Sequence, residues 1–271
     1  MLEGLDCYTN QLTSLDVRSC THLHWLQTVN NQLGSLDVSG LTELNDLYLW
    51  NSGLTSLNVS GCTALRQLNC TSNELKTLDL SGLSALESAY VESNQLTTLI
   101  VSGDTSLQLL YCCGNQLTDL DVSGLGSLRE LSCYANQLAT LDLNGLSSLE
   151  TVSCQNNQLT SLSLLGCGKL NYLDFSTNQF AEIDLSACPL LRDIHGGWNP
   201  FTSINVSSLT ALEYLSLEYS KLRTLDLTAN TALTYLNTSG SEGLSTITVK
   251  TGQSFPNGLS IDGTTEIVYQ D

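Results

Sequence analysis

The feature that most constrains this chain is a repeat with a period of 21 residues. Starting at Leu2, the pattern LxxLxCxxNxLxxLDLxxLxx recurs eleven times without insertion or deletion, as far as residue 232. A twelfth copy starts at Leu233 and carries one extra residue near Gly243. A repeat this regular indicates a solenoid, in which no coil buries its apolar face alone and each coil is stabilised by its neighbours.

The spacing of the apolar residues predicts the shape of one coil. We number the positions of a coil from 1, the position of Leu2. Leu at positions 1, 4, 11 and 14, with Leu or Val at 16, is predicted to point inward. Positions 3 to 5 are predicted to form a short strand that pairs in parallel with the next coil, about 4.8 Å away. A coil of 21 residues is too short for a strand, a helix and two returns, so we expect little or no α-helix.

The predicted architecture is therefore a solenoid of about 12 coils over residues 1–252, followed by a C-terminal cap over 253–271 that includes a short hairpin. The parallel sheet is expected on the concave face, and the convex side is expected to be mostly extended or irregular. The motif resembles the leucine-rich repeat, specifically the 21-residue bacterial IRREKO class, whose consensus allows Cys at the sixth position. The resemblance implies a non-enzymatic ligand-binding or adhesion module of a secreted or surface protein of bacteria.

Cysteine is abundant, but its positions favour packing over chemistry. Nine of the ten cysteines lie at position 6 or 19, where other coils carry Leu, Val or Phe. Free cysteine behaves as a small hydrophobic residue in such places, and no CxxC spacing indicates a metal site. We predict buried, reduced thiols. Only Cys113, at position 7, is expected to face solvent and react.

Three polar columns are predicted to serve the turns. Asn at position 9 is expected to satisfy backbone groups that would otherwise be buried without partners. Gly at position 18 is expected at positive φ. Asp at position 15 is expected to be solvated or to bond the following turn; calcium binding is the alternative for this column.

Charge excludes two classes of partner. The chain carries 27 acidic and 9 basic side chains, a formal net charge of −18. Nucleic acid and anionic membrane surfaces would be repelled, and no apolar run approaches the length needed for membrane insertion. The chain opens on MLEGLDCYTN without a signal peptide or a polar cap, so we expect it to be a segment of a longer precursor. No cofactor motif is present.

The candidate binding residues are aromatic. Positions 2, 3, 5, 7 and 8, which are expected to project from the strand face and its rim, hold twelve of the thirteen Tyr and Trp. Exposed Tyr and Trp are typical of interface hot spots, whereas cross-strand pairing of Tyr90 with Tyr111 and Tyr214 with Tyr235 is a purely structural alternative. The candidate ligand-binding residues are Tyr8, Trp25, Tyr48, Trp50, Tyr90, Tyr111, Tyr134, Tyr172, His195, Trp198, Tyr214 and Tyr219.

The same face is acidic, which favours a neutral or basic partner. Arg66, Arg129 and Arg192 each precede a Glu one coil later and are expected to form exposed ion pairs. Asp174, His195 and Ser216 share position 5 in consecutive coils, an order that invites a catalytic triad. Catalysis is not expected, because the sheet uses the local N–H groups and no GxSxG turn occurs.

Three functions fit these observations. The first is a protein-binding or adhesion scaffold that uses the aromatic and acidic face. The second is a glycan-binding module, in which flat rings stack on sugars. The third is a passive spacer in a larger surface protein. The separated aromatic clusters favour a protein partner over a long polysaccharide.

Overall fold

The computed structural model describes all residues from 1 to 271, and its regular elements are short β-strands without any helix. The chain forms two compact units, Met1–Leu138 (unit 1) and Ala139–Asp271 (unit 2). In each unit the strands at positions 3 to 5 pair in parallel, one from every coil, and we call this the long sheet of that unit. A second set of strands lies near positions 13 to 15. The expected helix-free coil is confirmed.

In unit 1 the long sheet contains Gly4–Asp6, Trp25–Gln27, Asp46–Tyr48, Gln67–Asn69, Ser88–Tyr90, Leu109–Tyr111 and Glu130–Ser132. The shorter pairs of unit 1 are Gly34–Asp37 with Leu54–Asn58, and Thr77–Asp79 with Thr98–Ile100. Partners in the long sheet are 21 residues apart, as in the pairing of Leu5 with Leu26. The 21-residue period of the sequence therefore sets the register in which the strands pair.

In unit 2 the long sheet contains Thr151–Ser153, Tyr172–Asp174, Asp193–His195, Tyr214–Ser216, Tyr235–Asn237 and Gly258–Ser260. The second set comprises Thr140–Asp142 paired with Ser161–Ser163, and a three-stranded sheet of Thr224–Asp226, Thr246–Lys250 and Glu266–Gln270. The two units together make about thirteen turns of about 21 residues.

The C-terminal segment continues the coil instead of forming the expected hairpin. Gly258–Ser260 pairs in parallel with Tyr235–Asn237, and Glu266–Gln270 pairs in parallel with Thr246–Lys250. Each strand finds its partner one coil back, because the edge left by coil 12 offers unpaired backbone groups in the same register. The hairpin prediction was wrong, and the division of the chain at residue 252 stays a prediction.

The core consists of the predicted inward columns. Leu at positions 1 and 4 is fully buried in nearly every coil, and the thiols at position 6 from Cys70 onward are buried among them. In unit 2 the rings of Phe175 and Phe180 meet edge to face with centroids 5.5 Å apart, a favoured geometry for aromatic pairs.

The asparagine column joins the turns of neighbouring coils. Asn115 Nδ2 donates to the carbonyls of Cys112 at 3.0 Å and of Val91, one coil back, at 3.1 Å, and its Oδ1 accepts the Leu96 N–H at 3.0 Å. The predicted role of position 9 is confirmed. The glycines at position 18 in the seven coils that carry one have φ between +74° and +92°, as predicted.

The aspartate column bonds its own turn. Asp121 Oδ1 accepts the Ser123 N–H at 2.9 Å, and hydrogen bonding by the Ser123 side chain and then by this N–H lowers the pKa of the Asp121 carboxyl. Asn58 makes the same bond to Ser60 where it replaces Asp. The turn-bonding role is therefore confirmed, and a neutral amide performs it as well as a carboxylate.

Candidate ligand-binding surface

The strands of the long sheets expose alternate side chains. Position 4 is buried in every strand from Trp25–Gln27 to Tyr235–Asn237, whereas positions 3 and 5 are half-buried or exposed in most of them. This alternation follows from the period of two in a β-strand. It places the aromatic residues of positions 3 and 5 on the solvent side of each sheet.

In unit 2 four rings form a continuous row, which we call the unit 2 aromatic row: Tyr172, His195, Tyr214 and Tyr235. The centroids of Tyr172 and His195 are 5.6 Å apart, and those of His195 and Tyr214 are 4.8 Å apart. Tyr214 and Tyr235 stack at 4.1 Å with nearly parallel planes, as predicted. Burial, and then the hydrogen bond with Tyr235, raise the pKa of Tyr214 to about 12.

The possible triad in unit 2 is not assembled. His195 Nε2 lies 3.0 Å from Asp193 Oδ1, a neighbour on its own strand, rather than pairing with Asp174. The Ser216 hydroxyl donates to the Glu218 carboxylate, and Asn237 Nδ2 also donates to Ser216. The hydroxyl of Ser216 thus bonds a carboxylate on its own coil and not His195, so the Asp–His–Ser relay of a triad is absent and the arrangement is a hydrogen-bonded patch.

Ionisable side chains on the face of the long sheets pair with one another. Burial raises the pKa of Asp193, and the adjacent His195 opposes that shift. Arg192 reaches forward to Glu213 with Nη1 and Oε1 2.7 Å apart, as predicted. In unit 1 the corresponding pair, Arg66 and Glu87, is 3.6 Å apart. Both pairs are exposed, so each contributes under about 1 kcal/mol to stability.

In unit 1 the aromatic residues form separate contacts. Tyr48 and Trp50 meet at 6.3 Å nearly at right angles, and the Tyr48 hydroxyl donates to Gln67. The indole of Trp25 lies over Gly4, where a Cβ would come within 2.3 Å of the ring. Tyr8 is exposed and has no ring neighbour.

The middle of unit 1 holds the other predicted pair. Tyr90 and Tyr111 stack at 5.2 Å with planes 17° apart. The Tyr111 hydroxyl donates to the Glu130 carboxylate, and burial together with this bond raises the pKa of Tyr111. These rings are half-buried, so part of their surface is used within the sheet.

Trp198 and Tyr219 lie apart from the unit 2 aromatic row, in the turns that follow two of its strands. Their rings stack at 3.9 Å with planes 24° apart. Both residues occupy position 8, where φ is between +52° and +73° in all twelve coils that carry the position. Bulky side chains are rare in this left-handed region. Hydrophobic periodicity does not predict this conformation, although the Asn, Ser and Gly found at position 8 in other coils indicate it.

The prediction that Cys113 faces solvent was wrong, and Cys7 and Cys20, which were predicted to be buried, are only half-buried. The Cys113 side chain is only 8% exposed, and burial raises the pKa of its thiol, with hydrogen bonds to Tyr134 and Ser132 opposing the shift. A short side chain at position 7 is covered when the neighbouring coil carries a large ring there, as Tyr134 does. Val29, between Tyr8 and Trp50, is buried in the same column. The least buried thiols are Cys7 and Cys20.

Nowhere in the chain do three or more His, Cys, Asp or Glu side chains converge in a way that could hold a metal ion. The structure likewise contains no helix that is long and apolar enough to span a membrane.

Solved structures of bacterial proteins resemble this chain, whereas no protein-family model and no curated protein matches it. The functional domain of InlJ from Listeria monocytogenes aligns with a TM-score of 0.80 and 29% identity over 98% of this chain and 62% of that one. The internalin InlF from the same species gives 0.72 and 21%, over 98% and 86%. YopM from Yersinia enterocolitica gives 0.62 and 22%, over 100% and 62%. The chain thus spans about three fifths of the InlJ and YopM chains.

The InlJ domain is described as including a cysteine ladder. This chain likewise carries Cys112, Cys133 and Cys154 at position 6 of consecutive coils, all buried. The chain therefore has the fold of the bacterial leucine-rich-repeat proteins, a solenoid with coils of about 21 residues.

Proposed function

We propose that the chain is a non-enzymatic scaffold that binds a protein through the solvent side of its long sheets, in an adhesion or host-interaction module secreted by bacteria or displayed on their surface. The observation that carries the proposal is the placement of the aromatic residues. Twelve of thirteen Tyr and Trp lie on the strand face or its rim, and Trp25, Trp50, Tyr8 and Tyr134 are more than a third exposed. Leucine-rich-repeat solenoids in general are scaffolds that use an extended face for binding.

The candidate residues keep their assignment as the proposed contact set, and the acidic side chains on the same face favour a partner with a neutral or basic surface. The localisation is supported by the likeness to the internalins InlJ and InlF. The unit 2 aromatic row offers a rigid aromatic surface at low cost in side-chain entropy, which is the property of hot-spot residues.

The test is affinity capture from candidate extracts with variants that borrow residues from the same column of other coils. Trp25→Gln, Tyr48→Asn and Trp50→Thr change the unit 1 face, and Tyr172→Thr with Tyr214→Thr changes the unit 2 face. Gln67, Asn69, Thr71 and Thr151 already occupy these columns, so the variants should fold. We expect a protein that the native chain retains and at least one variant loses.

The control is Leu165→Ser with Leu190→Ser. Both leucines are exposed and lie outside the long sheet, and Ser occupies their columns in other coils. Capture that survives both face variants but is lost in this control places the interface elsewhere and contradicts the proposal. Absence of any specifically retained protein contradicts a protein partner in those extracts and favours the glycan or spacer alternatives.

A further inference from the structure

Coils 10, 11 and 12 begin at Leu191, Leu212 and Leu233. We propose that the turns that follow the long-sheet strands of these three coils form a binding site for a sugar that carries a carboxylate. Trp198 and Tyr219 supply its aromatic wall, and Lys221 and Arg223 supply its cationic side. The site lies at the rim of unit 2, beside the strands, and does not depend on the long sheet binding a protein.

The aromatic wall is a fixed structure. Tyr219 stacks on Trp198 on one side, and on the other its ring lies over Gly240, where a Cβ would come within 2.6 Å of the ring. Despite this packing, Trp198 is 54% exposed and Tyr219 is 51% exposed. Two large rings are therefore held in place and still present apolar surface to solvent.

The backbone beneath the rings makes this arrangement costly. Trp198 has φ of +57° and Tyr219 has φ of +53°. In each of the remaining ten coils, position 8 is occupied by Asn, Ser, Thr, Ala or Gly. A bulky residue at positive φ is strained, and such strain is concentrated at functional sites. Two consecutive coils carry the unfavourable residue where ten do not.

The side chains beside the aromatic wall are cationic, whereas the net charge of the whole chain is negative. Lys221 stands at position 10, where most coils carry Gln, and Arg223 stands at position 12, where most carry Thr. Both side chains are exposed and neither forms an ion pair, unlike Arg192 and Arg66. The two rings, Lys221 and Arg223 line a cavity whose only acidic residue is Glu242. The cavity therefore has a net positive charge, although the net charge of the whole chain is −18.

The cavity matches the size and chemistry of a sugar acid. It has a volume of about 480 Å³ and is lined by both rings, Lys221, Arg223, Gly240 and Glu242. Arginine binds carboxylates in a bidentate fashion, and lysine adds a point charge. The Glu242 carboxylate can accept hydrogen bonds from hydroxyl groups, and the exposed surface of the two rings can contact the apolar C–H groups of a pyranose. A neutral sugar would leave both cations without a partner.

The test uses purified sugars and one fluorescent reporter. Trp25→Phe with Trp50→Phe leaves Trp198 as the only tryptophan, so its emission reports on this site alone. The probes are 3′-sialyllactose and a glucuronate-containing disaccharide, with lactose as the neutral control, at up to about 10 mM because single-sugar sites are weak. We expect saturable emission changes with at least one acidic sugar and a dissociation constant for lactose at least about tenfold higher.

Matched variants separate the two halves of the site. Lys221→Gln with Arg223→Thr restores the residues common to these columns, and we expect it to weaken acidic sugars about tenfold, to the level of lactose. Trp198→Asn, with binding followed by ligand-observed NMR, is expected to abolish binding and still fold, because Asn suits the left-handed position. Tyr172→Thr, on the aromatic row proposed to bind a protein, is expected to leave the dissociation constants of the acidic sugars unchanged.

The proposal is overturned if no acidic sugar binds in this range, if lactose binds equally well, or if binding survives Trp198→Asn. Binding lost with Tyr172→Thr instead would move the sugar to the sheet face. The capture experiment, whose variants leave Trp198, Tyr219, Lys221 and Arg223 unchanged, decides separately whether a protein binds the long sheets.

Discussion

Asp104 shows what one polar side chain does in a column otherwise filled mostly by leucine and cysteine. It lies at position 19, is completely buried, and neither carboxyl oxygen has a hydrogen-bond partner. Where polar atoms occupy this column elsewhere, they donate to carbonyls one coil back: Cys62 Sγ to Val38 at 3.1 Å, and Asn230 Nδ2 to Val206 at 2.9 Å. An ionised carboxylate has no proton to donate there.

Burial raises the pKa of Asp104 to about 7, above the value of about 3.9 in an unfolded chain. Below about pH 4 the carboxyl is protonated in both states, and its burial carries no ionisation cost. Between about pH 4 and 7 the unfolded chain releases the proton and the folded chain keeps it. Stability therefore falls as the pH rises through this window and levels off above it.

We predict that Asp104→Asn raises the free energy of unfolding at pH 8 by about 2 kcal/mol and changes it little at pH 4. The amide can donate as Asn230 does at every pH. Urea unfolding at the two pH values measures the effect. Asp121→Asn is the control, because its exposed carboxyl has a lowered pKa and only bonds its own turn. Equal effects of Asp104→Asn at both pH values would contradict the assignment.

A second prediction at the scale of the residue concerns the reactivity of the thiols. Cys113 is buried, and its raised pKa leaves little thiolate near neutral pH, whereas Cys7 and Cys20 are half-buried. We expect Ellman's reagent to label at most these two thiols in the folded chain and all ten after denaturation. Mass spectrometry locates the labelled residues. Rapid labelling of Cys113 would show that its thiol faces solvent, as position 7 predicts, and would contradict its burial in the structure.

At the scale of the element, the turn at position 8 is the part that hydrophobic periodicity could not predict. Leucine spacing reports which side chains point inward, not the sign of a backbone angle. The sign is visible only in residue preference, since Asn, Ser and Gly outnumber bulky residues at position 8. This is also why Trp198 and Tyr219 were grouped with the strand residues although they lie in the turns.

The left-handed turn predicts a reciprocal pair of variants. Ala135 has φ of +54° and Asn156, one coil later, has φ of +55°. We expect Ala135→Asn to raise the free energy of unfolding by about 1 kcal/mol and Asn156→Ala to lower it by a similar amount, because Asn tolerates this region better than Ala. Urea titration of both variants measures this. Changes of the same sign in both would show that φ does not decide the preference.

The asparagine column at position 9 joins adjacent coils. Of the predicted substitutions, loss of one of its side chains should lower the free energy of unfolding most. Asn115 makes four buried hydrogen bonds, so Asn115→Ala is expected to lower the free energy of unfolding by about 3 kcal/mol. Asn115→Ser is expected to cost less, because Ser52 fills the column in coil 3 and donates to Thr28 across coils. Gln116→Ala, exposed next door, is the control. An alanine variant no weaker than that control would rule out the bonds as a source of stability.

At the scale of the whole molecule, the fold followed from the sequence because one rule is repeated in every coil. A column of leucine at positions 1 and 4 and an exact period leave only one register for the strands, and Leu5, Leu26 and Leu47 lie in that register. The candidate surface was predictable as a set of columns, but not as contacts. By spacing alone His195 could pair with Asp174, Asp193 or Ser216, and in the structure its partner is Asp193.

Hydroxyl-radical footprinting of the chain bound to its captured partner would show directly whether the solvent side of the long sheets is the binding surface. Tyrosine, tryptophan and exposed leucine side chains all react, so both sides of each coil report in one experiment. The account predicts protection of the face residues, Trp25, Tyr48 and Trp50 in unit 1 or Tyr172 and Tyr214 in unit 2, while Leu165, 73% exposed, reacts as in the free chain. Protection of Leu165 and Leu190 with unchanged oxidation of the face aromatics would contradict it.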